Sequence, residues 1–299
     1  MLRRRLALAA ASAAAALVLG VAAARAEAAP DVTPYAGLGT WIDFYRPQAW
    51  RAPAATATQI AGRGAQTLYL QTGNYRQRSD LVRPAGLGPL VEAAHAAGLD
   101  VVAWYLPSFV SPARDLRRAL AAIRFRTPNG ERFDSFALDI EASVVRSVPL
   151  RTARLLALSR QLRAAAGRGY PLGAIIPSPV GMQLKPGYWP GFPYRPLAGL
   201  YDVILPMAYF THRAHGTAAV LAYTTRSVAI IRHATGDPAI PIHVIGGLSG
   251  STGPAELRGF MRAVSSCEPL GFSLYDFYGT SSAAWTLLSA PPLGAGFCG

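Results

Sequence analysis

The sequence predicts an α/β protein of the closed parallel (β/α)8 TIM-barrel class. Two observations predict it. From Tyr35 onward, eight short apolar stretches alternate with longer helical ones, the pattern of strand–helix units in one parallel sheet. The first stretch then runs into Asp43-Phe44-Tyr45-Arg46-Pro47. An open doubly wound sheet would place a glycine-rich phosphate turn there.

The strand candidates are Gly37–Tyr45, Thr67–Gln71, Val101–Leu106, Phe136–Glu141, Leu172–Pro177, Val203–Tyr209, Ile240–Ile245 and Phe272–Phe277. Each is rich in branched or aromatic residues and bounded by turn formers. The clearest helix is Val148–Gly167, with Leu150, Leu155, Leu158 and Leu162 at helical spacing and a glycine at its end. Pro84–Gly98 and Pro254–Ser266 read similarly, with proline near the start. The link Gly181–Leu200 is rich in proline and aromatics and reads as loop with a short helix. No repeat, linker or second domain is visible, so residues 31–299 read as one barrel domain.

Residues 1–26 read as a secretory signal peptide. Arg3, Arg4 and Arg5 precede an apolar run from Leu6 to Ala24, and Ala24-Arg25-Ala26 and Ala26-Glu27-Ala28 are both small-x-small cleavage patterns. The run is long for a signal, so a retained membrane anchor is the second reading. An exported protein, secreted or at the cell surface, is expected, with no membrane contact once the leader is removed.

The formal charge is +13, and Lys185 is the single lysine. So strong an arginine bias reads as compositional and not as a nucleic-acid signature. Arg114, Arg117, Arg118, Arg124 and Arg126 cluster on one helical stretch and read as a solvated outer face, with attraction to anionic cell-wall polymers as the sharper alternative. Cys267 and Cys298 are the two cysteines; in an exported chain they form a candidate disulfide worth about 3 kcal/mol.

A barrel of this class carries its functional groups at the carboxyl ends of the strands. Those ends hold Asp43 and Tyr45, Gln71 and Asn74, Trp104 and Tyr105, Asp139 and Glu141, Ser178, Met207 and Tyr209, and Tyr275 and Asp276. Aromatic faces stack on sugar rings, and carboxylates and amides bind hydroxyls. The ends hold no dinucleotide turn, nucleophile elbow or thiol, and no cofactor is implied. Asp139 and Glu141 stand out: two apart on a strand, they share a face at about 6.6 Å. Mutual repulsion and desolvation push one carboxyl up, which suits Glu141, nearer the open end, to act as general acid.

Asp134-Ser-Phe-Ala137-Leu-Asp139-Ile-Glu141 resembles the fourth-strand D-x-x-D-x-D-x-E motif of chitinase-type glycoside hydrolases, and Met207-Ala-Tyr209 is similar to their sixth-strand M-x-Y. The resemblance implies Glu141 as proton donor, Asp139 as the group orienting a substrate acetamido, and Tyr209 as its support. Carboxylates that are neighbours on one strand also suit substrate assistance, in which the acetamido oxygen attacks the sugar, better than double displacement, whose two carboxylates lie about 5 Å apart across the scissile bond. The sequence departs from the pattern in three places. Ala137 replaces the second acid, the third-strand small-residue motif is missing, and Tyr275-Asp276 stands where a tryptophan is usual. The Asp-Ile-Glu triplet is also similar to that of barrel-type bacterial muramidases, whose first-strand acid would match Asp43. For a substrate without an acetamido group, Asp43 or Asp276 is the candidate second carboxylate.

Weaker signals remain. His212-x-x-His215 lacks a third ligand, and zinc needs at least three, so no metal is expected. His243 reads as a satisfied core histidine. Trp189, Phe192 and Tyr194 form either a sugar platform or a packed lid. The sequence thus points to a monomeric exported glycosidase acting on an N-acetylated polysaccharide of the chitin or peptidoglycan type. The alternative is a carbohydrate- or cell-wall-binding barrel without catalysis, which Ala137 favours. No nucleic-acid partner is expected.

Overall fold

A computed structural model describes residues 29–290. The leader and Cys298 therefore lie outside the described residues. Eight strands form the sheet: β1 Gly37–Ile42, β2 Thr67–Asn74, β3 Asp100–Leu106, β4 Ser135–Asp139, β5 Leu172–Ile176, β6 Val203–Pro206, β7 His243–Leu248 and β8 Gly271–Tyr275. They pair in parallel in the order β6-β5-β4-β3-β2-β1-β8-β7. Parallel bridges Ile204↔Ile242 and Met207↔Ile245 join the two ends. The sheet is therefore a closed (β/α)8 barrel, as the alternation predicts.

The helices are α1 Pro47–Arg51, α2 Pro53–Gly62, α3 Pro84–Ala96, α4 Pro112–Ile123, α5 Val148–Ala166, α6 Pro179–Leu184, α7 Tyr194–Ala198, α8 Gly216–Thr235, α9 Pro254–Cys267 and α10 Ser282–Leu288. Six open on proline, which presets φ and gives up an amide hydrogen that has no intrahelical partner there. Gly167 ends α5 at φ 77°, where a side chain would be strained. Leu155, Leu158 and Leu162 of α5 are buried, but Leu150, in its first turn, is 45% exposed. The link expected as loop with a short helix holds two short helices, α6 and α7.

Two apolar layers result. The outer one lies between strands and helices. The inner one fills the barrel with residues such as Trp41, Tyr69, Trp104, Ala137, Leu205 and Ile245, and Trp41 stacks on Tyr69 at 4.2 Å. The floor, at the amino ends of the strands, is closed by paired polar groups. His243 is fully buried; its Nδ1 lies 2.9 Å from the Tyr35 carbonyl and 3.0 Å from the Tyr69 hydroxyl. Its Nε2 lies 3.0 Å from Ser273 Oγ. Burial lowers its pKa to about 4, so the ring is neutral at physiological pH.

The arginine-rich stretch forms α4, and it is not the uniform solvated face expected. Arg117 pairs with Asp80 at 2.8 Å. Arg118 is buried and donates to the carbonyls of Asn74 and Gln77, tying the end of β2 to α4. Cys267 is buried at the end of α9.

Candidate active site

The strand ends diverge at the mouth, and side chains there follow the pleat. Trp104 points inward and Tyr105, its neighbour, outward. The Tyr105 hydroxyl donates to Asp115 Oδ1 at 2.6 Å, in the layer beneath α4. Tyr105 therefore leaves the candidate substrate-binding set.

Over β8, β1, β2, β3 and β4 lies a cavity of about 270 Å³. Its walls include Tyr45, Gln71, Asn74, Trp104, Asp139, Glu141, Met207, Tyr209 and Tyr275. Nine of the twelve site residues expected from sequence thus share one cavity wall. Asp43 and Asp276 are at the same mouth, but their carboxylates are engaged elsewhere. Asp43 accepts from the Tyr45 amide at 2.8 Å and from the Tyr275 hydroxyl at 3.0 Å. Asp276 pairs with Arg46 at 2.7 Å and accepts from the Gly279 amide at 2.8 Å. As candidate second carboxylates they are thus committed to protein partners, of which Tyr275 lines the cavity.

Three residues of the cavity wall each hold a buried polar atom with no protein partner: Asp139 Oδ1, Gln71 Oε1 and Trp104 Nε1. Buried polar groups in folded proteins are normally paired. Two acceptors and one donor among the residues of one cavity are thus left unpaired within the protein. Ala137 contributes to this. It faces the inside of the barrel, fully buried beside Trp104 in register. An acid there would lie within the apolar layer, and without it Asp139 has no carboxyl neighbour from its own strand behind it. Asp134, the first acid of the motif, is elsewhere. At the floor it accepts from the Val101 amide at 2.8 Å and lies 2.9 Å from His95 Nε2.

The electrostatics refine the expected acid pair. Asp139 is 6% exposed. Desolvation, and then the Glu141 charge, hold its carboxyl well above the usual range. Glu141 lies past the end of β4 at the solvent-exposed rim. Protein atoms around its carboxyl still raise it by desolvation, and the guanidinium of Arg76 opposes that rise. Both carboxyls are thus raised, and the two titrate as a unit. The Tyr209 hydroxyl is held far above its usual range by burial and by Asp139, Glu141 and Asp276. It therefore stays protonated as a donor.

Residues missed in the sequence complete the mouth. Tyr188 donates its hydroxyl to the Glu141 carbonyl at 2.5 Å, fixing the backbone that carries the acid. Arg76, past the end of β2, sets the field at Glu141. Neither residue has a periodic or motif signal. The nearby aromatics Trp189 and Phe192 are buried and meet edge to face at 5.2 Å. The Arg151 guanidinium lies 4.1 Å over the Trp189 ring. Of the two readings of this loop, the packed lid is the one observed. His212 and His215 are exposed in the turn before α8.

No family model and no curated protein matches the sequence. Solved structures do. The spore cortex-lytic enzyme SleL of Bacillus cereus superposes with a TM-score of 0.63 at 9% identity, over 85% of this chain and 73% of that one. An endo-1,4-β-mannanase from Rhizomucor miehei gives a TM-score of 0.63 at 10% identity, over 86% and 92%. A family 18 N-acetylglucosaminidase from Paenibacillus barengoltzii gives 0.56 at 13% identity, over 85% and 99%. The chain has the (β/α)8 barrel of these glycoside hydrolases. At such identities the likeness concerns the barrel and leaves the chemistry to be argued from the mouth.

Proposed function

We propose that this protein is an exported, monomeric glycoside hydrolase that cleaves an N-acetylated polysaccharide with Glu141 as general acid. The observation that carries the reading is that Asp139, Gln71 and Trp104, each with a buried polar atom that has no protein partner, line the cavity that Glu141 borders. A sugar there meets the Trp104 indole and both kinds of hydrogen-bonding group. An acetamido N–H is a suitable donor for Asp139 Oδ1, and the Tyr209 hydroxyl a suitable donor for the acetamido oxygen. Held this way, the oxygen can attack the anomeric carbon while Glu141 protonates the leaving oxygen. The substrate then takes the role of the second carboxylate, which Asp43 and Asp276 are too engaged to fill.

Glu141→Gln keeps the shape and cannot donate a proton, so turnover of N-acetylhexosamine oligomers should fall on the order of 10²–10⁴-fold with binding little changed. Substrate assistance requires retention at the anomeric carbon, which NMR of fresh product reads directly. Inversion would replace substrate assistance with an activated water. Ala137 in place of an acid favours a second reading, a binding barrel without catalysis. In that case the wild type binds oligomers and shows no turnover for Glu141→Gln to remove.

Export rests on the leader pattern of residues 1–26. Intact mass of secreted protein should show a chain beginning near Glu27 with a Cys267–Cys298 disulfide. Two thiols open to alkylation in the native protein would remove the disulfide, and a mass retaining the apolar run would make the leader an anchor.

A further inference from the structure

Glu141 borders a second cavity, of about 250 Å³, over β4, β5 and β6. The two cavities share Glu141, Met207 and Tyr209. They therefore meet at the proposed acid, with Asp139 on one side and a different set of groups on the other. Two cations are part of that second wall, Lys185 and Arg213. Among the described residues neither has a carboxylate within ion-pair distance, whereas Arg46, Arg117 and Arg163 each do.

Arg213 is not a loose surface side chain. Its Nη1 donates to the Tyr223 hydroxyl at 3.3 Å and to the Tyr209 carbonyl at 3.5 Å. The Tyr223 hydroxyl is 2.6 Å from Ser178 Oγ, which accepts from the Gly181 amide at 3.0 Å. Tyr223 and Ser178 are both buried. A buried neutral network thus positions a guanidinium at the cavity without neutralising it. Arginine presents a planar fork of donors suited to a carboxylate. Lys185 adds a second positive charge, and Met182 and Met207 supply apolar wall.

We infer that this second cavity is a subsite for a sugar carrying a carboxylate, on the leaving-group side of the bond that Glu141 protonates. The inference rests on the proposed glycosidase reading, which puts the acetamido sugar in the Asp139 cavity. The next sugar along the chain then crosses Glu141 into the cavity with Arg213 and Lys185. Two kinds of sugar present this chemistry: a hexosamine with an ether-linked acid, and a uronate. A neutral homopolymer would leave both cations unpaired.

The test uses matched oligosaccharides: an N-acetylhexosamine tetramer with ether-linked carboxylates, a uronate-containing tetramer, and the carboxyl-reduced twin of each. Binding is measured in the Glu141→Gln background, so that turnover does not consume the ligand. At least one acid should bind about 10- to 100-fold tighter than its reduced twin, the size of one charge-assisted hydrogen bond. The acid that does so identifies the source. Arg213→Met should erase most of that advantage and leave the reduced twin's affinity unchanged. Because Lys185 is the chain's single lysine, amine acylation read by mass spectrometry is an independent readout that needs no further variant. The preferred acid should shield Lys185, and its reduced twin should not. Equal binding of acids and reduced twins, with no shielding, overturns the inference while the polysaccharide reading stands. No binding of any oligomer overturns both.

Discussion

Around His243 at the floor and around Asp139 at the mouth, buried polar groups are paired differently. At the floor, both His243 nitrogens have partners. The Tyr35 hydroxyl donates to the Phe136 carbonyl at 3.0 Å, and Asp202 pairs with Arg163 and accepts from the Leu172 amide. At the mouth, Asp139 Oδ1, Gln71 Oε1 and Trp104 Nε1 have no protein partner. An unpaired buried group costs about 1–3 kcal/mol. The groups around His243 are thus paired within the protein, whereas three at the mouth are left for the ligand proposed above. The barrel class separates stability from chemistry in the same sense.

The largest effect expected from this contrast is at Asp139. Asp139→Asn should slow turnover of N-acetylated substrates by about 10²-fold, within the range for losing one preorganised polar group. Asp139→Leu should abolish turnover and raise the unfolding free energy by about 1 kcal/mol, because an unpaired buried carboxyl is replaced by apolar volume. Lower stability in the leucine variant would break the comparison, since it would mean that Asp139 is satisfied in the native state.

The floor should respond in the opposite sense. Asp134→Ala removes the acceptor for the buried Val101 amide and a partner of His95. It should cost about 2 kcal/mol of stability, with kcat per folded molecule unchanged. Urea denaturation alongside single-substrate kinetics separates the two. A large loss of kcat in correctly folded protein would instead give Asp134 a part in the active site.

A smaller, pH-dependent effect sharpens the floor further. The Asp134 hydrogen bond, followed by that of Glu131 and opposed by desolvation, raises His95 from 6.5 to about 9. The ring lies 2.6 Å from Glu131 and 2.9 Å from Asp134, one carboxylate at each nitrogen, and only the protonated ring donates to both. A raised folded-state pKa means that this contribution is fully present below pH 6.5 and is lost as pH rises to about 9. Tm should therefore decline across that window, and His95→Gln should flatten the decline. An unchanged slope in the variant would assign the decline to other groups.

The strand ends show how far the sequence could be read. All eight strands were legible, because alternation and turn formers mark short buried segments. Their ends were not. The first, fourth and sixth strand candidates run past the ladder into Tyr45, Glu141 and Tyr209, which leave the sheet where the barrel opens. The seventh begins at His243 and extends to Leu248, offset from the expected 240–245, because Ile242 makes only an isolated bridge to β6. The pleat alone would have separated Trp104 from Tyr105, once the inward parity of the third strand was known. Lys185, Tyr188 and Arg213 had no such clue, since loops carry no period.

The sequence by itself determined the barrel and the placing of the Asp139–Glu141 pair at a strand end, because each is written in local order: strand period, strand end, spacing of two. Only the tertiary structure decided which groups are already paired. Asp134 matches the motif and Asp43 and Asp276 the strand ends by sequence, yet their carboxylates have protein partners drawn from other parts of the chain. Asp139, Gln71 and Trp104 do not. Pairing is a matter of distance in space between residues far apart in the chain. Closure of the barrel sets those distances, by bringing β6 and β7 together and aiming eight strand ends at one mouth.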